Sequence, residues 1–297
     1  MRKLSLFVIA LTVLFSSTVY ANHYANFYVI PVAAHTPGAN GTNWMSDVAI
    51  QNFSPTALTV QIAVIESGLG NPDNVFPLTT ASSSGSVTVP PLGNVLLSDV
   101  LNGHRGMAVT TGALLIGADR PFAVTSRTYS MSPGGDTVGQ TVMPAANFLD
   151  NTLSPIDLAS AVAYIPGIVQ NDRFRTNLGM VAANGNASGG DMMITVTLRD
   201  NNGGSVGTRN FSIPAGSIVH VQFPATSVGT RVFDIGSADF RITAGTGSVS
   251  PYASVIDNRT GDAGFIAGMF PQNQSAAAFK TFVPSLFRTI LDRTNGY

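Results

Sequence analysis

The sequence contains no cysteine and few charged residues, and each absence narrows what the protein can be. Without cysteine among its 297 residues, the chain forms neither disulfide bonds nor the lipid-modified cysteine of a lipoprotein. Only 10% of the residues are charged, and the formal net charge is −1. This charge balance does not suggest a nucleic-acid or anionic-membrane partner, and we expect neither. No cofactor motif is present, and we expect no cofactor.

The residues that are abundant favour a folded β protein. Hydrophobic residues make up 44% of the chain, which is enough for a core and argues against disorder. Gly, Ser, Thr, Asn and Val are common, whereas no long stretch has helical periodicity. This composition is typical of an extracellular β-sandwich whose outer faces carry Thr, Ser and Asn in place of Lys and Glu.

A basic start followed by an apolar run predicts export. Arg2 and Lys3 precede the apolar residues 4–15, and Val19 and Ala21 are compact residues at the positions that signal peptidase requires. We expect residues 1–21 to be a signal peptide, which leaves 297 − 21 = 276 residues. No later segment reaches the roughly 20 apolar residues of a membrane span. The expected location is the extracellular medium or the cell surface, with the periplasm as the remaining option.

Two pairs of similar blocks indicate that one β module occurs twice. An early aromatic block contains Trp44 in the first half and Phe174 in the second, and a later strand pattern contains Phe122 or Tyr252. The two separations are equal, because 122 − 44 and 252 − 174 are both 78. Between the blocks, alternating apolar residues predict strands with one buried face. These are Leu58, Val60, Ile62 and Val64 in the first half and Met192, Ile194, Val196 and Leu198 in the second.

The predicted fold class is all-β, with two tandem immunoglobulin-like antiparallel β-sandwich domains after the signal peptide. Residues 22–146 form the first predicted module, 147–162 a linker, 163–271 the second module and 272–297 a C-terminal tail. The tail has a strand-like segment that echoes the start of each module. It either packs on the second module or pairs with a sheet edge of another molecule, which would produce self-association.

Several segments carry a resemblance to known proteins. Residues 28–35 read YVIPVAAH, residues 174–179 read FRTNLG and residues 252–262 read YASVIDNRTGD. With the Trp44 region and residues 126–140, they resemble uncharacterised secreted bacterial proteins built of two tandem immunoglobulin-like β-sandwich modules. The resemblance covers nearly the whole mature chain. It implies a sandwich fold and display at the cell surface or outside the cell, and it brings no catalytic residues.

Patterns that look catalytic are better explained by turns. Residues 203–207 match the Gly-x-Ser-x-Gly nucleophile pattern, but they follow an Asp-Asn-Asn turn between two strand patterns, so a hairpin is predicted. None of the four histidines has zinc-motif spacing. His220 alternates with apolar neighbours and is expected to point outward. The oxygen-rich segments 200–202 and 257–262 leave calcium as an alternative to ordinary turns, although no metal site is predicted.

Five residues form the predicted ligand-binding set, and none is predicted to be catalytic. Trp44 is either a core aromatic or a sugar-stacking platform, and the core role is favoured because Phe174 takes its place in the second half. Asp47 and Asn177 stand at equivalent positions in the two blocks, which favours bonding to nearby backbone over catalysis. The complete set is Trp44, Asp47, Asn177, Asp257 and Asn258.

The predicted function is that of a non-enzymatic exported protein of structural or adhesion type, at the cell surface or in the extracellular space. It would bind a cell-surface or matrix polysaccharide or protein through loops at the ends of the sandwiches. A carbohydrate-binding tandem module is the alternative. A hydrolase is a third option, and it would have to use aspartates because Glu66 is the only glutamate.

Overall fold

The computed structural model describes residues 25–38, 41–69, 76–77, 85–131, 137–146, 162–184 and 189–269. The predicted signal peptide, nearly all of the predicted linker and the predicted C-terminal tail lie outside these residues. Within the described ranges, no helix is long and apolar enough to cross a membrane.

The regular structure of the described residues is almost entirely β-strand, which confirms the all-β prediction. Two short helical turns interrupt it, at Val100–His104 and Ala225–Ser227. The strands of the first half are β1 (Ala25–Pro37), β2 (Asn43–Asn52), β3 (Leu58–Leu69), β4 (Phe76–Pro77), β5 (Gly85–Val89), β6 (Asn94–Leu97), β7 (Thr110–Met131), β8 (Thr137–Val142) and β9 (Ala145–Ala146). Those of the second half are β10 (Val162–Gln170), β11 (Phe174–Asn184), β12 (Met192–Asp200), β13 (Ser205–Ile213), β14 (Ser217–Pro224), β15 (Phe233–Ala244), β16 (Ser248–Asp257) and β17 (Ala263–Ala267).

The order of strand pairing is the same in both halves, in agreement with the predicted duplication. In the first half, one layer has the order β5-β3-β7-β1 and the other β6-β2-β7-β8. In the second half, the corresponding layers are β13-β12-β15-β10 and β14-β11-β16-β17. The layer of β13, β12, β15 and β10 is a separate sheet of four strands, and all the others belong to one curled sheet of 13 strands.

Strand β7 explains why the sheet curls. Its first part pairs with β1 and β3, and its second part pairs with β2 and β8. The ladder with β3 ends at Ala118 and the ladder with β2 includes Phe122, so the strand changes layer around Pro121. Proline has no amide hydrogen to donate, which suits a position where one ladder ends and the next begins. The sequence predicted two separate strands here, as the second half has in β15 and β16.

The strand order differs from that of an immunoglobulin constant domain. If the short β4 is left out and the two parts of β7 are counted as the sixth and seventh strands, both halves can be compared with that fold strand by strand. The second strand then pairs with the fifth (β2-β6 and β11-β14) and the third with the sixth (β3-β7 and β12-β15), as in that fold. The first strand, however, lies beside the sixth, and the seventh lies beside the second. In an immunoglobulin domain these two strands occupy the opposite layers. The fourth strand also differs, because it lies beside the fifth in the constant domain and beside the third here (β5-β3 and β13-β12). The two-layer β arrangement is therefore present, with the first, fourth and seventh strands placed differently.

The alternating strands β3 and β12 bury the predicted face. Leu58, Val60, Ile62 and Val64 are fully buried in the core of the first half, and Met192, Ile194, Val196 and Leu198 are fully buried in the core of the second. Each half thus has its own hydrophobic core between its two layers. Burial of such side chains contributes about 1.5–3 kcal/mol each.

A third hydrophobic cluster joins the two halves. The outward faces of β1, β3 and β7 contribute side chains such as Phe27, Val29 and Ile65, which pack against Val181 and Ile218 of the second half. The far end of β3 also pairs in parallel with β14. The two halves therefore share both a packed interface and a continuous hydrogen-bonded sheet.

The register of the duplication is not the one that the equal 78-residue separations suggest. Asn52 and Asn184 are both buried, and each donates from its side-chain nitrogen to the carbonyl at the end of the strand before a proline, Val89 in one half and Ile213 in the other. These two asparagines are equivalent, so Trp44 does not correspond to Phe174. The predicted equivalence of Asp47 and Asn177 is wrong for the same reason.

The two aromatic residues of the later repeated block, Phe122 and Tyr252, also lie in different places. Phe122 lies in the core of the first half. Tyr252 points out of its own sandwich, toward the first half, and is fully buried there. Its ring lies across Gly179 on the neighbouring strand β11. A β-carbon at Gly179 would overlap the phenol ring, so the glycine is required for this contact.

We predict that Gly179→Ala destabilises the fold by about 1–3 kcal/mol, because Tyr252 must leave a well-packed position to admit the methyl group. Urea unfolding followed by circular dichroism measures the change. Gly264→Ala is the matched control, since a β-carbon there would have Val255 O, at 4.0 Å, as its nearest neighbour. Equal stability of the two variants would show that Tyr252 is not held against Gly179.

Candidate functional site

A cavity of about 330 Å³ lies between the two halves of the protein. Its volume is at the lower end of the range for small-molecule sites, roughly 300–1,000 Å³. Strands β1, β2 and β8 of the first half form one wall, and β11, β14 and β16 of the second half form the other. The cavity thus exists only because the two halves are packed together.

The first-half wall is built around Trp44. The indole lies against Gly38, at the beginning of the β1–β2 loop, where the Gly38 amide donates to the Thr42 carbonyl at 2.7 Å. Trp44 is half-buried and belongs to none of the three hydrophobic clusters of the described residues. The favoured core role of Trp44 is therefore wrong. Its neighbours on this wall include Thr36 and Gln140.

The second-half wall contains four polar residues beside four apolar ones, Phe223, Pro224, Ile256 and Ala263. Arg175 and Asn177 are on the outward face of β11, and Gln222 and Ser254 are on the adjacent strands β14 and β16. Gln140 of the first half donates to the Ser254 hydroxyl at 2.8 Å, which ties the two walls together. The lining therefore combines two aromatic residues, Trp44 and the buried Phe223, with amide, hydroxyl and guanidinium groups.

The cavity carries positive charge. Arg175 is the only charged residue among the described residues that line it. Its Nη1 donates to Asn258 Oδ1 at 2.7 Å, and no described carboxylate forms an ion pair with it. The preceding arginine, Arg173, lies 3.5 Å from the Asp257 carboxylate and does not line the cavity.

Beside the cavity, His220 and Tyr252 form a buried polar pair at the junction. His220 Nε2 is 2.8 Å from the Tyr252 hydroxyl, and both residues are fully buried. The sequence predicted that His220 points outward, and it does point out of its own sandwich, but the first half covers it. Burial lowers the pKa of His220 to about 3, and the Pro31 carbonyl opposes this shift only in part. Burial also raises the pKa of Tyr252, so both rings are neutral at physiological pH.

Of the five predicted site residues, the structure brings only Trp44 and Asn177 to the cavity. Asp47 is on β2 and accepts the backbone amide of Asp99 at 2.9 Å. It also lies 3.4 Å from the Tyr129 hydroxyl, and burial together with Asp47 raises the pKa of Tyr129. Asp47 therefore bonds backbone, but it does so from the middle of β2 to an amide 52 residues away and not at a turn or strand end.

Asp257 and Asn258 form the turn between β16 and β17. Asp257 accepts the backbone amides of Arg259 and Thr260, and these bonds, the Arg259 amide first, lower the pKa of the carboxyl group. Asn258 donates to the Asp172 carbonyl at 3.1 Å while accepting from Arg175. Both side chains thus hold the hairpin, and Asn258 also positions a residue of the cavity.

The other motifs are turns. Asp200 Oδ1 accepts the amides of Asn202 and Gly204, each at 3.0 Å, so residues 200–204 form the predicted hairpin turn between β12 and β13. Gly203 has a positive φ of 78°, which suits glycine in such a turn. Among the described residues, no group of three or more His, Cys, Asp or Glu side chains is placed to hold a metal ion.

Sequence reasoning missed Arg175, Gln140, Gln222 and Ser254. A signal was present in β11, where the residues that face away from the sandwich change from polar, Arg175 and Asn177, to small and apolar at the far end. An outward face with an apolar end indicates a second buried surface. Its polar end then marks the rim of that surface.

Comparisons with known proteins give no relative. No protein-family model matches the sequence, and no curated protein matches it. Among solved structures, two of a Bacteroides uniformis β-glucuronidase have a TM-score of 0.20 and 10% identity, over 80% of this chain and 25% of theirs. The chain therefore spans about a quarter of those proteins. The T13 viral particle of IBDV has a TM-score of 0.20 and 11% identity, over 91% of this chain and 81% of that one. Likeness at this level carries no argument about fold or function.

We predict that acid destabilises the fold through His220. Its pKa is about 3 in the folded state against 6.5 for a free histidine, so the folded state disfavours the proton. The His220 contribution to stability is fully present above about pH 6.5 and is lost as the pH falls toward 3, by about 1.4 kcal/mol per pH unit. Urea unfolding between pH 7 and pH 4 measures this slope.

His220→Gln is the control, because glutamine retains a polar partner for Tyr252 and does not titrate. The carboxylates contribute equally to both proteins, so the difference between the two profiles isolates the histidine. Parallel profiles would contradict the burial of a neutral His220 at the junction.

Proposed function

We propose that the protein is a non-enzymatic exported protein of structural or adhesion type, located at the cell surface or in the extracellular space, and that its ligand binds in the junction cavity. The observation that carries the proposal is the cavity itself, which is lined by Trp44 of the first half and by amide and hydroxyl groups of the second half. Pockets of this kind, with one aromatic surface and a few fixed polar groups, are typical ligand sites.

The composition of the walls favours binding over hydrolysis. A glycosidase needs two carboxyl groups about 5–9.5 Å apart, and a serine hydrolase needs a base beside its nucleophile. None of the described residues that line the cavity is acidic or a histidine. Two aspartates of the oxygen-rich segments, Asp200 and Asp257, are engaged in backbone turns.

Carbohydrate is the second candidate for what is bound, and a specific observation favours it. Trp44 is half-buried, as a stacking platform at a cavity wall must be, and the side-chain amides of Gln140, Asn177 and Gln222 line the same cavity. Amides donate and accept at once, which suits the hydroxyl groups of a sugar. A protein ligand would have to insert one side chain into the same space.

The assignment of each half to the immunoglobulin-like sandwiches is part of the proposal. The pairing of the second strand with the fifth and of the third with the sixth supports a relation to immunoglobulin-like sandwiches. The different placement of the first, fourth and seventh strands then distinguishes this module from the constant domain. Export and self-association through the C-terminal tail remain predictions from the sequence.

We predict that Trp44→Ala weakens ligand binding at least tenfold, because an aromatic contact worth about 1.5–3 kcal/mol is lost. Titration calorimetry of the mature protein against a panel of surface polysaccharides and matrix proteins measures the affinity. Since Trp44 is the only tryptophan, its fluorescence reports binding in the wild type directly.

Tyr164→Ala is the matched control, because Tyr164 is an exposed aromatic on β10 and does not line the cavity. Equal loss of binding in both variants, or full binding without Trp44, would contradict the proposed site. Release of cleavage products from any member of the panel would contradict the non-enzymatic function.

A further inference from the structure

We propose that the cavity recognises an acidic sugar, with the carboxylate of the ligand on Arg175 and the ring of the ligand against Trp44. This inference rests on the proposed function and deepens it by naming the chemical class of the ligand. Both residues line the same cavity, one from each half of the protein.

The charge of Arg175 is the first argument. A partly buried guanidinium is expected to have an acidic partner, because desolvation of a charge is costly unless an opposite charge offsets it. Three other arginines, Arg173, Arg199 and Arg231, each pair with an aspartate, although their side chains are more exposed. For Arg175 the described residues supply only the neutral amide oxygen of Asn258. An anionic ligand would complete the pairing.

The positioning of Arg175 is the second argument. Asn258 Oδ1 accepts a hydrogen bond from Arg175 Nη1. Asn258 is itself fixed, because its backbone amide donates to the Arg173 carbonyl at 2.7 Å and its side-chain amide donates to the Asp172 carbonyl. The guanidinium is therefore held before the ligand arrives. Its planar donors match a carboxylate, and prior positioning lowers the entropic cost of binding.

The remaining lining selects the body of the ligand. Trp44 offers a flat apolar surface, and the amides of Gln140, Asn177 and Gln222 offer donors and acceptors. A sugar ring has an apolar face and a polar rim, so it fits both. The volume of about 330 Å³ suits one terminal residue of a chain or a small free sugar, and a long polymer segment does not fit.

The experiment uses matched acidic and neutral sugars. Glucuronate, galacturonate and mannuronate are each titrated into the mature protein beside glucose, galactose and mannose, with Trp44 fluorescence and calorimetry as readouts. We expect at least one acid to bind at least tenfold more tightly than its neutral counterpart, with a preference that weakens as salt is added. In Arg175→Gln the affinity for that acid falls at least tenfold and the preference for the acid disappears.

Arg173→Gln is the matched control, because it removes the same charge two residues away and outside the cavity. Unchanged melting temperatures confirm that both variants fold. If neutral sugars bind as tightly as acids, or if both variants lose affinity equally, the acidic-sugar inference is overturned while the binding function stands. If no sugar binds, the inference is overturned, and the polysaccharide and protein panel then decides the proposed function separately.

Discussion

The structure depends on the burial of both faces of one layer, that of β14, β11, β16 and β17. Its inward face carries Leu178 and Val221 and packs in the core of the second half. Its outward face carries Val181 and Ile218, which the first half covers. A layer with two apolar faces is stable only between two others. This requirement holds the two halves together.

The same layer explains where the cavity lies. Along its outward face, apolar packing at one end gives way to the buried pair of His220 and Tyr252, and then to Arg175 and Asn177 at the other end. The curled sheet brings β8 of the first half close to β17, where the Gly139 amide lies 3.2 Å from Asp262 Oδ1. The polar end thus lines a partly open cavity between the two halves. A ligand at this place contacts both halves, so binding also stabilises the junction.

The sequence predicted well what local periodicity controls. The alternation in β3 and β12 identified the buried faces, and the Asp-Asn-Asn turn identified a hairpin, because both depend on neighbouring residues alone. The junction depends on packing between distant segments, and no periodicity in one strand shows what covers its outward face. His220 illustrates this limit: its direction was predicted correctly, and its burial was not.

The register of the repeat failed for a related reason. Aromatic residues are conspicuous in the sequence, but Phe122 packs inside a core and Tyr252 packs at the junction, so their resemblance is coincidental. The equivalent residues are Asn52 and Asn184, whose buried amides satisfy strand-end carbonyls. Among the many asparagines of the chain, nothing in the sequence distinguishes these two. The sequence also did not identify Arg175 as a site residue, because the absence of a described acidic partner near its guanidinium is visible only in the folded structure.

Differential scanning calorimetry of the mature protein tests the central claim, that the two halves form one structural unit through the shared layer. The account predicts a single endotherm whose calorimetric and van't Hoff enthalpies agree, because neither half retains its buried faces when the other unfolds. Two transitions, or a calorimetric enthalpy about twice the van't Hoff value, would show that the halves unfold independently and would contradict it.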